Sequence, residues 1–294
     1  MVRRGQVQPP LTAQPGCLEM IRESPAADGS RSGKLRRVPV PHHPDKHVGR
    51  PYVTPHRLLA YRAEQGHRVD TPPCAVVLGW QASLLERVSS NRPCRRISGP
   101  ISGPAGTVLE LTPEIGFARL PIGAPVAAIA IEELAALGVT TLVGVGAAGA
   151  LGHGLEVGQT VVCSAALRDE GTSHHYAPSD RWALPDEQLV DALRAALPEA
   201  PVGATWTTDA PYRETAEEIV SYREQGILTV DMEASAIFTV AAFLGLRAAA
   251  VFCISDTLHG QQWEPHFHSA DLAGSLWRLF ETVETILLAS PLLT

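Results

Sequence analysis

From residue 52 onward, short apolar runs alternate with amphipathic segments, and the junctions carry residues that start and stop helices. YVTPHRLLAYRAEQG predicts a helix with Thr54 as N-cap, Pro55 at its first position and a glycine behind its last turn. The unbroken apolar run CAVVLG (74–79) predicts a buried strand, with a helix following at SLLERV. GTVLEL and GFARLP predict a hairpin turning at Thr112 and Pro113. APVAAIAIEELAALG (124–138) is an alanine-rich helix closed by glycine, and TTLVGVG and QTVVCSAAL are strands joined by a glycine-rich connection. An amphipathic helix follows at 186–197, then a strand near 202–208 and a helix over 213–225. ILTVDME predicts a strand running into an apolar helix, RAAAVFCISD another strand, and 269–289 a final amphipathic helix. Strands alternating with helices predict one three-layer α/β domain, a mixed sheet flanked by helices, with ligands expected at the carboxyl ends of strands.

Residues 1–50 break this pattern. They are rich in Pro, Gly, Ser, Arg and His without helical or strand period, which predicts a flexible, locally basic tail ahead of a domain over 51–294. The start, MVRRGQVQPP, has basic residues without an apolar stretch behind them, unlike a secretory signal. A hydrophobic content of 45%, a charged content of 19% and a net charge of −7 describe an ordinary core and argue against a nucleic-acid-binding face. No apolar run reaches the roughly 18–20 residues of a membrane span. Five scattered cysteines without CxxC spacing point to reduced thiols and a cytoplasmic setting.

The chemistry lies where apolar runs end. GVGAAG (144–149) matches the GxGxxG dinucleotide pattern, with Asp169 at a suitable spacing. The glycines should open a helix that holds a pyrophosphate, yet Gly152, Gly154 and Gly158 follow, and the next regular element is a strand. An NAD-dependent oxidoreductase therefore rests on that hexapeptide alone. The glycines instead allow close approach of a ligand or another strand. VDMEAS and CISDT each place a carboxylate at a strand end. This suits cleavage of an N-glycosidic bond, in which one group protonates the departing base and others fix the sugar as it gains oxocarbenium character. On the residues alone, Asp231 as a helix cap and Glu233 as a charge at the helix's positive end is the favoured reading, and Asp256 also reads as a cap or turn residue.

GVGAAGALGHGLEVGQTVV, RDEGTSHHY, TTDAPYRET, VDMEASAIFTVAAFLG and ISD, in this order, resemble the purine nucleoside phosphorylase/uridine phosphorylase superfamily, which includes hydrolytic nucleosidases for methylthioadenosine. The resemblance covers most of residues 74–290. It implies a domain of nucleoside phosphorylase type, a nucleoside substrate, phosphate as co-substrate, no cofactor, and a homo-oligomer, either dimer or hexamer. By it, Glu233 bonds the ribose hydroxyls, Met232 packs on the sugar, and His56 reaches a neighbouring subunit's sugar site. Asp256 protonates a purine at N7 with Ser255 beside it, so a purine is favoured. Ala148, Gly149, Tyr212 and Arg213 line the base, although Pro211 stands where purine-cleaving relatives carry a stacking Phe. Asp231 retains the capping role.

The same resemblance breaks at the attacking group. Relatives hold phosphate with arginines where this chain has Ser83 and Gly144, and with a Thr where it has Ala147. Phosphate would then rest on the backbone around Gly79, Gly146 and Ala147 and on a subunit-crossing Arg95 or Arg96. Alternatively water attacks, as in the nucleosidases, with Glu86 near the position of their activating glutamate but two residues out of register. A nucleoside-binding protein without turnover is a further alternative. His174, His175, His266 and His268 lack the additional convergent ligands of a zinc site, so no metal is expected. The second pair is expected to line the crevice near Asp256.

Overall fold

The longest apolar stretches become the centre of one mixed sheet. The computed structural model describes residues 40, 41, 43, 46–100, 106–178, 180–258 and 262–289. All fall within the compact unit Val40–Thr294. Among them are strands β1 (Ala75–Gly79), β2 (Arg95–Ile97), β3 (Thr107–Glu110), β4 (Ile115–Arg119), β5 (Thr141–Ala150), β6 (Thr160–Asp169), β7 (Trp182–Ala183), β8 (Val202–Thr208), β9 (Ile227–Asp231), β10 (Arg247–Thr257) and β11 (Glu264–Pro265). Helices α1 (Pro55–Glu64), α2 (Ala82–Asn91), α3 (Ala124–Ala136), α4 (Glu187–Ala196), α5 (Ala216–Glu224), α6 (Ala234–Leu244) and α7 (Ala270–Ala289) alternate with them.

The strand order is β11-β10-β6-β8-β9-β5-β1-β4-β3-β2, and an additional pairing of β10 with β5 closes five strands on themselves. β5 is the hub. Its first half lies parallel to both β1 and β10, and its end at Gly149–Ala150 turns antiparallel to β9. Leu84, Val88, Leu189, Leu193, Leu276 and Phe280 from α2, α4 and α7 bury one face of the sheet. Ala127, Ile131 and Leu134 of α3 and Ile237, Phe238 and Val240 of α6 bury the other. The predicted three-layer α/β architecture is what the chain forms.

Local signals account for most boundaries. Thr54 Oγ1 accepts from Arg57 N at 3.3 Å to start α1, and Asp186 caps α4 through Leu189 N. The helix predicted over 213–225 begins only at Ala216, because Thr215 and Glu218 form a capping box there, behind a single 3-10 turn at Pro211–Arg213. The predicted hairpin joins β3 to β4 antiparallel, with Thr112 Oγ1 accepting from the amides of Glu114 and Ile115. The glycine-rich connection after TTLVGVG is not a loop: the strand runs on to Ala150, since strands approach its side-chain-poor backbone on both edges. The three-residue β2 and the two-residue β7 and β11 are too short to show a sequence period.

Of the predicted tail, residues 1–39 lie outside the described residues. Lys46–Val48 form a 3-10 turn, and Lys46 Nζ lies 2.8 Å from His175 Nδ1. The ring of Phe117 packs edge-on to Phe280 with centroids 5.7 Å apart, and it fills the space a Cβ on Gly79 would need. Phe117→Ala is therefore expected to cost about 3–5 kcal/mol of stability in urea denaturation. A loss under about 1 kcal/mol would contradict the close packing of β1 on β4 and α7.

Candidate active site

Gly149 brings two of the predicted segments together. On one edge it pairs with Val230, just ahead of Asp231–Glu233, and on the other with Asp256. A Cβ there would stand 2.5 Å from Leu258 Cδ1, 3.0 Å from Val230 Cγ1 and 3.2 Å from Asp256 Oδ2, so only glycine admits all three neighbours. The ends of β9 and β10 thus meet across the end of β5.

The two acids of VDMEAS part company. Asp231 Oδ2 accepts from the amides of Glu233 and Ala234 at 2.8 and 2.6 Å, and Oδ1 accepts from Thr207 Oγ1 at 2.7 Å and Thr205 Oγ1 at 3.2 Å. It is fully engaged in closing the helix start. Glu233 Oε1 accepts from Gly123 N at 2.6 Å, in the loop between β4 and α3, and the Met232 amide also favours its charged form. Burial first, and then the charge of Asp231, push its acid up to about 8. Met232 between them is half-buried.

Asp256, also buried, has both oxygens occupied. Ser255 Oγ donates to Oδ1 at 2.6 Å, and Trp263 Nε1 donates to Oδ2 at 2.8 Å. The segment carrying Trp263 folds back on β10, with Pro265 opposite Asp256 and His266 N donating to the carbonyl of Ser255. His266 and His268 themselves are exposed, and Trp263 packs on Phe267 with ring centroids 5.9 Å apart. Glu214 is half-buried, and its acid is pushed up to about 7 by burial first and by the charge of Asp256 next.

Trp80 borders the region where the resemblance expects phosphate. Its ring crosses β5: a Cβ on Gly146 would stand 3.1 Å from Trp80 Cε3, and one on Gly144 3.5 Å from Cη2. Gly79, Ala147 and Ala148 lie at or beside this floor. Other predicted residues stand apart within the chain. His56 is exposed on α1, Glu86 is exposed on α2, and Tyr212 and Arg213 project into solvent, Tyr212 at 99% exposure. Arg96 is exposed on edge strand β2, separated from β5 by β1, β4 and β3, beside a cleft lined by Arg62, His67 and Arg68. His175 meets Lys46, and His174 Nδ1 lies 3.4 Å from Arg168 Nη2, so each ring has a cation as its nearest polar partner. Among the described residues no group of three His, Cys, Asp or Glu side chains is placed to hold a metal ion, and no helix is long and apolar enough to cross a membrane.

Sequence reasoning missed Trp80, Glu214, Trp263 and Glu170. Glu170 is buried behind the site, where it accepts from Ser235 Oγ at 2.9 Å and from the amides of Thr172 and Ser173, tying the end of β6 to α6. Its place in RDEGTSHHY beside buried strand residues is the only signal that marks it.

Known proteins share this fold. The sequence profile of the Phosphorylase superfamily matches residues 84–283. A guanosine phosphorylase of Halorubrum lacusprofundi is 38% identical over 141 residues, covering 47% of this chain and 58% of that relative. A uridine phosphorylase of Thermococcus kodakarensis is 34% identical over 150 residues, covering 45% of this chain and 54% of the relative. The chain thus matches a little over half the length of these curated relatives. The crystal structure of a uridine phosphorylase from Vibrio fischeri ES114 superposes with a TM-score of 0.65, covering 76% of this chain and 95% of that one, at 24% identity, which shows a common fold. A profile spanning more than half of the residues, on a fold of this kind, establishes that the chain belongs to the Phosphorylase superfamily.

Proposed function

We propose that the protein cleaves the N-glycosidic bond of a nucleoside by phosphorolysis, releasing a free base and a sugar 1-phosphate. The observation that carries this reading is the junction at Gly149, which seats the carboxylate segment of β9 and Asp256 of β10 against one strand end. In this mechanism Glu233 receives the ribose hydroxyls on its remaining lone pairs, and Met232 packs on the sugar. Asp256 gives a proton to the base as the glycosidic bond breaks. Glu214, whose acid is pushed up to about 7 by burial first and by the charge of Asp256 next, supplies the proton that Asp256 passes on in this reading. A purine is favoured because Asp256 provides an acid for N7, and similarity to a guanosine phosphorylase supports that preference. Ala148, Gly149 and Ser255 face the base, and Tyr212 and Arg213 belong to its rim. Phosphate is the co-substrate, without metal or other cofactor. The protein acts as a cytoplasmic homo-oligomer, in which exposed His56 and Arg96 serve a neighbouring subunit's site.

A hydrolytic reading is favoured by one observation: the positions where relatives are expected to hold phosphate are Ser83 and Gly144, and Trp80 occupies the room beside Gly144 and Gly146. Incubation with a nucleoside panel, with and without phosphate, separates the readings by chromatography of products. Sugar 1-phosphate formed only with phosphate is expected. Free sugar in both conditions means a nucleosidase, and nucleoside binding without product sinks both enzyme readings.

Asp256→Asn is expected to lower kcat on purine nucleosides by about 10²–10⁴-fold with little change in KM, as measured by steady-state kinetics. Unchanged turnover would remove Asp256 from the acid role. Glu233 makes a pH prediction. Its acid lies near 8 in the folded chain against about 4.3 unfolded. Between those values the folded protein holds a proton that the unfolded chain lacks, so this group's contribution to stability falls as pH rises towards 8. Glu233→Gln should flatten the decline in stability between pH 5 and 8 in urea titrations (about the window those two acids span). Equal slopes for the two proteins would show that Glu233 is already ionised when folded.

A further inference from the structure

Arg119 ends β4 directly opposite Gly79 at the end of β1, and β1 in turn lies beside β5 at Val145. It is half-buried, and its Nε donates to the carbonyl of Trp80 at 3.2 Å. Among the described residues no carboxylate pairs with it, whereas Arg62, Arg92 and Arg247 each hold one. Its two terminal nitrogens remain as an unused donor fork, the geometry suited to a phosphate. Four residues on, Gly123 N donates to Glu233, so the loop leaving Arg119 leads directly to the proposed sugar site.

Trp80 adds a second, independent observation. The residue is 9% exposed, yet its indole Nε1 is buried without an acceptor. Buried polar atoms left unpaired in this way are few in native structures and mark a missing partner. The neighbouring Gln81 starts α2, whose first turn has no acid and no side-chain cap, leaving the positive end of that ten-residue helix unanswered at the same strand end.

We propose that Arg119 and the indole N–H of Trp80 form the binding site for an oxyanion, inorganic phosphate, in place of arginines at positions 83 and 144. The inference rests on the phosphorolytic reading for its role, but the anion site itself can be measured without turnover. The exchange is coupled: the Trp80 ring fills the space beside Gly144 and Gly146, so a cation cannot be supplied from β5 and comes instead from β4.

The test titrates inorganic phosphate alone into the wild type, Arg119→Gln, Arg119→Lys and Trp80→Phe by calorimetry, with thermal melts to establish folding, and then measures phosphate KM with guanosine. Arg119→Gln is expected to weaken phosphate binding and raise phosphate KM about 10- to 100-fold, the loss of one charge-assisted pair, while nucleoside KM moves less than about twofold. Arg119→Lys retains the charge without the fork and should fall between, which keeps the test usable if the glutamine variant does not fold. Trp80→Phe retains the ring, loses the N–H, and should weaken phosphate binding by a smaller factor. Phosphate affinity unchanged in Arg119→Gln, or absent in the wild type, overturns the proposal. Free ribose as the wild-type product, with phosphate binding still lost in Arg119→Gln, instead overturns phosphorolysis and leaves the anion site standing.

Discussion

Everything at this strand junction depends on one missing side chain. At Gly149 three strands converge, and the space that a methyl group would take is held by Leu258, Val230 and an oxygen of Asp256. The closure of β10 onto β5 and the antiparallel return of β9 are therefore the same constraint as the placement of the acids. A sheet that pairs on both edges of one strand end needs a backbone slim enough to be approached from both sides. The buried run GVGAAGA supplies it. Fold closure and site assembly are one packing solution, which is why the side-chain-poor stretch lies at the junction and not in a loop.

The same strand ends explain how several carboxylates coexist in a small buried volume. Burying an ion is costly unless donors replace its water. Asp231 receives four such donors, two from the opening turn of α6 and two from threonines of β8. Glu170 receives its own from Thr172, Ser173 and Ser235. Glu233 draws on the backbone amides of Gly123 and Met232, fewer donors than Asp231 has, and its acid stays raised. On the proposed function, structural and ligand-binding roles divide by how completely each carboxylate is satisfied. A carboxylate with four donors has its acceptor sites filled, whereas one with two has sites left for a ligand.

Much of this was legible in the sequence because it is local. Thr54, Asp186 and Thr215 announce helix starts through contacts a few residues long, and apolar period alone placed α3, α6, α7 and strands β1, β5, β6, β9 and β10 in order. Asp231 as a cap follows from three consecutive residues. What the sequence hid is set by pairing across the sheet. GAAGALG reads as a turn because glycine carries no strand signal, and only its partners on β9 and β10 make it a strand. Glu214 and Trp263 come to Asp256 from 42 residues before and 7 residues after it, through a capping turn and a fold-back with no period of their own. Trp80 reads as one more apolar residue at a strand end. Its meaning appears only against the glycines of β5, more than 60 residues away.

That last pairing bears on how a family site can change its residues and keep its place. The ends of β1, β4 and β5 are neighbours in the sheet, so a cation needed there can be carried by any of them. If β5 gives up its side chains at 144 and 146, the void must be filled, since an empty apolar cavity costs stability in proportion to its volume. An indole from the end of β1 fills it and brings one N–H donor. On the proposal of an anion site, the remaining positive charge sits on the third strand, where Arg119 lies beside the carbonyl of the same tryptophan and no carboxylate among the described residues pairs with it. A site defined by where strand ends converge tolerates such an exchange, whereas one defined by a contiguous motif does not. On the proposed anion site, the absence of arginine at 83 and 144 is a statement about which strand carries the charge, and not about whether charge is present.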